Sequence, residues 1–330
     1  MYIGWFHHYT PKVFGVLAFL VNPVFVYLIF SEKSTRFGNY RFLLLYFATF
    51  NVIYSITDII VPIGIHGYRY CFFLFLSDGW FIEPSTANLH ILSTRCSLIA
   101  CSYAILISHF VYRYLVILRS SFTHRHFHVF MTASFVLCGV YFSFWDAICH
   151  TFEHANVEVR KYIRDDFRIV YGVDSMEMNM FATLYHEGSD GTVFLSWAGT
   201  ISLTSLSTVS IFIFFLLGYL IMADLNSVSF RMSERNAKLQ RELLRALVLQ
   251  TVIPICVSFA PCLLSWYAPA FNLDLGRGVN YTGVIALAAF PFFDPVAIVV
   301  CLPALRKRIP PWSCYQKRSA LGELSTITSP

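Results

Sequence analysis

Charge is what this chain has least of. Asp, Glu, Lys and Arg make up 13% of its 330 residues, against roughly 25% in an ordinary soluble domain. Hydrophobic residues reach 57%, with 33 Phe and 19 Tyr. So few charges cannot cover that much apolar surface in water, which excludes an ordinary soluble domain and makes lipid the solvent. Catalytic signatures are missing too. The chain has no HExxH, no GxSxG and no glycine-rich phosphate loop, so a membrane enzyme has no motif to stand on. No internal repeat is visible, and Asp58, Asp146 and Asp294 are scattered rather than paired at mid-depth as a transporter would favour. No cofactor and no nucleic-acid partner are expected.

What is present is a set of seven apolar runs. About 20 mainly apolar residues cross the hydrocarbon core as a helix. The runs lie near 12–30, 42–65, 91–115, 129–150, 194–222, 246–268 and 279–303. The expected fold is therefore an all-α integral membrane bundle of seven helices over residues 1–303, followed by a tail at 304–330. The first run has no basic stretch before it and no small-x-small site after it. Its length exceeds the ~7–15 residues of a signal-peptide core, so it is expected to be a retained span. No CaaX or myristoylation signal is present.

Lysines and arginines gather in alternate gaps. Lys33, Arg36 and Arg41 follow the first run, and Arg113, Arg119 and Arg125 close the third. Arg231, Arg235, Lys238, Arg241 and Arg245 precede the sixth, and Arg306, Lys307, Arg308, Lys317 and Arg318 lie in the tail. Basic loops stay in the cytoplasm, so the N-terminus is expected outside and the C-terminus inside. The long outer loop, 151–193, is polar and net negative. It either folds over the bundle mouth as a cap or stays a solvated loop, and its composition leaves both forms open.

Most of the nine cysteines sit in or beside the runs, as buried small hydrophobes do. Cys71, Cys96 and Cys149 fall towards the outer, oxidising side, where one bridge among them would be chemically allowed without its pair being readable. Cys314, in the basic segment RKRIPPWSCYQKR, suits either palmitoylation or a free thiol. The sequon Asn280-Tyr281-Thr282 abuts the seventh run and is expected to be unused. His124, His126 and His128 alternate in an Arg-rich inner loop, which reads as a headgroup-facing loop ahead of a loose metal site.

Polar and helix-breaking residues inside the runs are the candidates for function, because lipid tolerates them mainly where they face the bundle interior. They include Asn22-Pro23, Asp58, Pro62, Asp146, Gln250, Pro254, Pro261 and Asp294-Pro295. Pro254 and Pro261 each remove a backbone hydrogen bond from the sixth run and favour a kink, hence a pivot. The basic residues from Arg231 to Arg245 recur at helical spacing along one stripe. That stripe can hold anionic lipid heads or a cytoplasmic partner. Arg113 sits between Tyr112 and Tyr114 at the end of the third run, where an arginine can snorkel to headgroups or hold the sixth span and release it.

Several stretches, taken in order, carry a resemblance. Residues 7–62, with GNYRFLLLYF at 38–47, resemble the N-terminal half of nematode serpentine chemoreceptors of the Str superfamily, and most closely its Srj class. FVYRY at 110–114, ALVLQTVIPICVSFAP at 246–261 and PFFDPVAIVVCLPALRKRI at 291–309 are similar to that superfamily's span-three, span-six and span-seven patterns. The resemblance implies a G-protein-coupled receptor for environmental chemicals, in the plasma membrane and often in the cilia of sensory neurons. It implies a small-molecule ligand and a heterotrimeric G protein as partners, besides the lipid bilayer. It also implies a switch at Arg113 with Tyr114, and a part for Asp294-Pro295 like that of the NPxxY region. Pro254, Pro261, Lys238, Arg241 and Arg245 belong to the same activation and coupling set. The chain departs from better-known receptors at Tyr112, where an acid would stand, and in having no cysteine between Cys149 and Cys256.

In this reading the ligand pocket lies among the outer halves of spans three, five, six and seven, with His90, Thr94, Trp145 and Trp266 as candidate contacts. Ordinary packing or interfacial anchoring is the simpler account of each one singly. The alternative function is a seven-span chemosensory ion channel or transporter, against which the distribution of basic loops and the scattered acids both argue.

Overall fold

The computed structural model describes residues 4–31, 38–118, 120–123, 125–228 and 234–306. Lys33, Arg36, Arg119, His124, Arg231, Cys314 and the rest of the tail from 307 lie outside the described residues. Seven helices are long and apolar enough to cross a membrane. They are α1 (Trp5–Ser31), α2 (Tyr40–Ile60), α3 (Thr86–Ile117), α4 (Phe127–Thr151), α6 (Asp190–Val228), a composite sixth span and α9 (Gly276–Cys301). The sixth span runs as α7 (Glu234–Ile253), a π-helical turn (Pro254–Phe259) and α8 (Ala260–Ala270). A short α10 (Pro303–Arg306) follows α9.

The helices face lipid with apolar residues and turn small or polar ones inward, which is why large side chains such as Phe212, Phe215 and Tyr219 of α6 are exposed. α3 is the most enclosed span. It starts at Ser85, whose side chain accepts a hydrogen bond from the Asn88 N–H. It packs against α4 and α6, while α1 packs between α2 and α9.

The seven-helix bundle stands as expected, and a small sheet is added to it. Between α2 and α3 the chain forms β1 (Ile63–Tyr68) and β2 (Cys71–Leu76), and β3 (Met180–Leu184) completes an antiparallel sheet in the order β1-β2-β3. The turn between β1 and β2 is tight enough to hold Arg69 at φ 49°. Every residue of β2 is buried. Side chains alternate across a strand. Cys71, Phe73 and Phe75 therefore pack with α5 (Val157–Tyr171), and Phe72, Leu74 and Leu76 pack onto the bundle. A six-residue apolar run is too short to span a membrane, and it is buried here because both faces are covered.

Segment 151–193 is thus a folded cap. α5 begins at Asn156, which accepts from the Val159 N–H, and ends at Gly172 in the left-handed region. Phe167 packs against Phe73 and Phe75, and Tyr171 meets Phe75 edge-on over the sheet. Arg160 ties the segment together by donating to the carbonyls of Ala155, Ser175 and Met178. Cys71, Cys96 and Cys149 are all buried free thiols, the first on the α5 side of the sheet and the other two in the bundle cluster.

Candidate functional site

Two buried arginines on α3 organise the bundle interior. Towards the capped end, Arg95 is fully enclosed and its Nη2 pairs with Oδ1 of Asp58 on α2. Its guanidinium lies 4.4 Å from the centre of the Tyr54 ring. Among the described residues, Arg95 Nε and Asp58 Oδ2 have no hydrogen-bonding partner. Unpaired polar atoms this deep are costly and point to a group that is brought in or a charge that is moved. Asp58 also lines a cavity of roughly 30 Å³ beneath the cap, together with Phe75, Tyr171 and Tyr281. That space has room for water and no more.

The predicted ligand contacts separate into two pairs. Trp145 of α4 is buried, and its ring lies 6.1 Å from that of Trp266 on α8. Phe72 of β2 reaches the same tryptophan at 6.3 Å. His90 and Thr94 do not join them. Both are exposed, because α3 turns Leu92, Ser93, Arg95 and Cys96 inward and leaves the stripe carrying residues 90 and 94 outside. His90 instead meets His150 of α4 at 4.3 Å between ring centres.

At the other end of α3, Arg113 is almost wholly buried. It lies 3.6 Å from the centre of the Tyr40 ring on α2. Its Nη1 donates to Oε1 of Gln240 on α7 at 3.3 Å, linking spans three and six. Tyr40 is itself fixed by a 3.1 Å hydrogen bond between its hydroxyl and His109 Nδ1, and by stacking on Tyr112. Tyr112, which stands where an acid would be expected, thus supports the aromatic platform under Arg113. Tyr114 is half-buried on the neighbouring face. Tyr40, His109 and Gln240 were not among the sequence candidates; nothing in their spacing announces a contact across three helices.

The prolines of span six behave as their chemistry requires. Pro254 is buried and opens the π-helical turn, and Pro261 follows just inside α8. A proline cannot complete the regular hydrogen-bond ladder, and a wider turn absorbs the mismatch. On α9, Asp294 and Pro295 are both buried, and Asp294 Oδ1 has no hydrogen-bonding partner among the described residues. Nearby, Asn22 donates to the carbonyls of Ala18 and Pro291, and Asn51 donates to Asn22 at 3.5 Å. Lys238, Arg241 and Arg245 are exposed on α7. Asn280 of the sequon is buried inside α9.

The cap carries its own electrostatics. Hydrogen bonds from the Thr192 and Ser189 side chains and from the Ser189 N–H hold the Glu158 carboxyl below its ordinary value. Burial pulls Asp78 upward, but hydrogen bonds from Lys12 and the Gly79 N–H outweigh it and leave that carboxyl lowered. Glu153, half-buried where the cap meets α6, is pushed up to about 8 by burial. Among the described residues, no group of His, Cys, Asp and Glu is arranged to hold a metal ion.

Comparison with known proteins matches residues 1–309 to the family of serpentine type 7TM GPCR chemoreceptors designated Srj. Serpentine receptor class J-38 of Caenorhabditis elegans is 50% identical over 305 residues, which cover 92% of each chain. Serpentine receptor class r-10 of the same nematode is 24% identical, over 96% of this chain and 94% of that one. The crystal structure of squid rhodopsin matches with a TM-score of 0.56 at 12% identity, covering 93% of this chain and 85% of the other. At that identity the likeness is one of fold.

Proposed function

The chain belongs to the Srj family of serpentine seven-transmembrane chemoreceptors, and on that premise we propose how its residues divide the work of a G-protein-coupled receptor. It is a multi-pass membrane protein of a receptor family, not an enzyme family, and its relatives do not favour the channel or transporter alternative. The capped end faces outside and the basic end faces the cytoplasm, a reading supported by the distribution of Lys and Arg. The sensory cilium is the membrane in which we expect it.

The ligand is a small, weakly polar molecule that reaches the centre formed by Asp58, Arg95 and Tyr54 beneath the cap. Trp145 and Trp266 supply an aromatic wall beside it. The unpaired polar atoms of that centre support this reading. The cavity beside Asp58 is too small for such a molecule, so binding requires the cap or the outer ends of the helices to part. A ligand shifts the bundle only by preferring one arrangement over another. The arrangement it favours is one in which span six swings at Pro254 and Pro261.

The observation that carries the coupling mechanism is the Arg113–Gln240 hydrogen bond. It joins span three to span six at the basic end and closes the crevice between them. When span six moves, Gln240 leaves Arg113. The freed guanidinium and Tyr114, with Lys238, Arg241 and Arg245 nearby, then form the face offered to a heterotrimeric G protein, while Asp294 and Pro295 give α9 its adjustable segment. The test is expression in a reporter cell, challenged with a panel of volatile and water-soluble molecules, with and without a promiscuous G protein. A response that requires the G protein supports the reading. A membrane current that persists without any G protein overturns it.

A further inference from the structure

A groove of about 660 Å³ opens between α6 and α7 at the basic end. Its volume falls within the range of about 300–1,000 Å³ typical of small-ligand pockets. The floor is apolar, with Met222 and Leu225 from α6 and Leu244 and Val248 from α7. Arg241 and Arg245 line it as well, one helical turn apart and both exposed. Among the described residues no carboxylate forms an ion pair with either. Asp224, the acid on this stretch of α6, does not line the groove. Two unneutralised guanidiniums above an apolar slot, at the boundary of a membrane span, match one kind of molecule. It carries a phosphate at one end and hydrocarbon at the other.

We propose that this groove is a binding site for an anionic phospholipid of the cytoplasmic leaflet. Its phosphate bridges Arg241 and Arg245, and one acyl chain lies along Leu225, Leu244 and Val248. The proposal rests on the reading that the basic end faces the cytoplasm, where anionic lipids are concentrated and where basic pockets between spans collect them. Arginine suits this role because its planar fork binds phosphate through two parallel hydrogen bonds. A surface of scattered charges would attract the leaflet as a whole. A groove with hydrocarbon walls selects a single molecule and holds it.

A lipid seated there touches both span five and span six. It therefore bears on the movement of span six away from span three that the coupling mechanism requires, and its occupancy sets how readily span six moves. The two guanidiniums that hold it are among those assigned to the G-protein face, so lipid and G protein compete for them.

The experiment uses the full-length receptor purified in mild detergent, with retained lipid read by native mass spectrometry. Phosphatidylserine and phosphatidylcholine are supplied in equal amounts, and intact folding is checked by the melting temperature of each variant. Wild type is expected to retain phosphatidylserine at least severalfold over phosphatidylcholine. R241Q with R245Q should lose that preference. V248W, which fills the slot and keeps both charges, should lose it too. Equal retention of the two lipids by wild type would overturn the proposal, as would unchanged preference in the double variant. Preference surviving in V248W would mean that surface charge alone collects lipid, and the groove would carry no site. If wild type shows no lipid preference but the double variant loses binding of purified G protein, the groove belongs to the protein partner and the lipid proposal falls. No activating ligand is needed, so this test can fail while the receptor reading stands.

Discussion

Arg95 and Arg113 stand on the same helix, both buried, each lying over a tyrosine ring from α2. They differ in the partner at the guanidinium edge. Arg95 meets the carboxylate of Asp58, whereas Arg113 meets the neutral amide of Gln240. The first pair joins two spans by opposite charges in the bundle interior, where separating them leaves both uncompensated. The second joins spans three and six by a single hydrogen bond of 3.3 Å to an uncharged acceptor. On the proposed reading one arginine is fixed and the other is releasable, and the releasable one lies at the end assigned to the G protein. The absent acid before Arg113 belongs to the same design. An aromatic platform of Tyr40 and Tyr112 holds the guanidinium without the grip of an ion pair.

Breaking the fixed pair should have the largest effect. R95M or D58N alone leaves one buried charge without its partner, a loss of about 3–5 kcal/mol, so surface expression should collapse. D58L with R95M removes both charges, and expression measured by surface labelling should recover. The ligand response should not return with it if this centre reads the ligand. A rescued response would limit the pair to holding spans two and three together.

Changes at the releasable arginine should be smaller in stability and larger in signalling. A hydrogen bond to a charged group contributes about 1.5–3 kcal/mol, so Q240A should raise basal G-protein activation on the order of tenfold with expression unchanged. Q240E turns the second arginine into a copy of the first and should suppress both basal and ligand-driven activation. Y40L removes a cation–π contact of about 0.5–2 kcal/mol and should raise basal activity severalfold. Y40F keeps the ring and should stay near wild type. P254A should alter the extent of activation more than the concentration of ligand required. A change in expression alone would make the π-helical turn a purely structural feature.

The smallest expected effect lies at the cap. Glu153 has an ordinary value of 4.5 and is pushed to about 8 by burial in the folded chain. The folded state therefore keeps a proton that the unfolded state has lost between those values, and stability falls as pH rises through that window. E153Q removes the slope. Its melting temperature should exceed that of wild type by a few degrees at pH 8 and converge with it near the ordinary value of 4.5.

The seven spans were legible because length and hydropathy are local properties of a chain. Pro254, Pro261 and Asp294 were legible as polar or helix-breaking residues that lipid would not tolerate without a reason. The sheet was not. Burial of β2 on both faces gives an unbroken apolar run, CFFLFL, with none of the alternation that marks a half-buried strand. Its partner β3 lies more than a hundred residues away. Asp58 was visible as a polar residue within an apolar run, but nothing in the sequence paired it with Arg95. Choosing Asp58 over Asp146 required knowing which helix faces touch. The Arg113 platform needed more still, since Tyr40, His109 and Gln240 come from three helices and only His109, an ionisable residue inside an apolar run, is unusual where it stands.

The central claim is that Gln240 restrains Arg113 and that release of this contact opens the coupling face. The most direct measurement is ligand-free nucleotide exchange on a purified G protein, catalysed by wild type, Q240A and Q240E reconstituted at equal density. The account predicts exchange rates in the order Q240A, wild type, Q240E, from fastest to slowest. Equal rates for all three, or a faster rate for Q240E than for wild type, would contradict it.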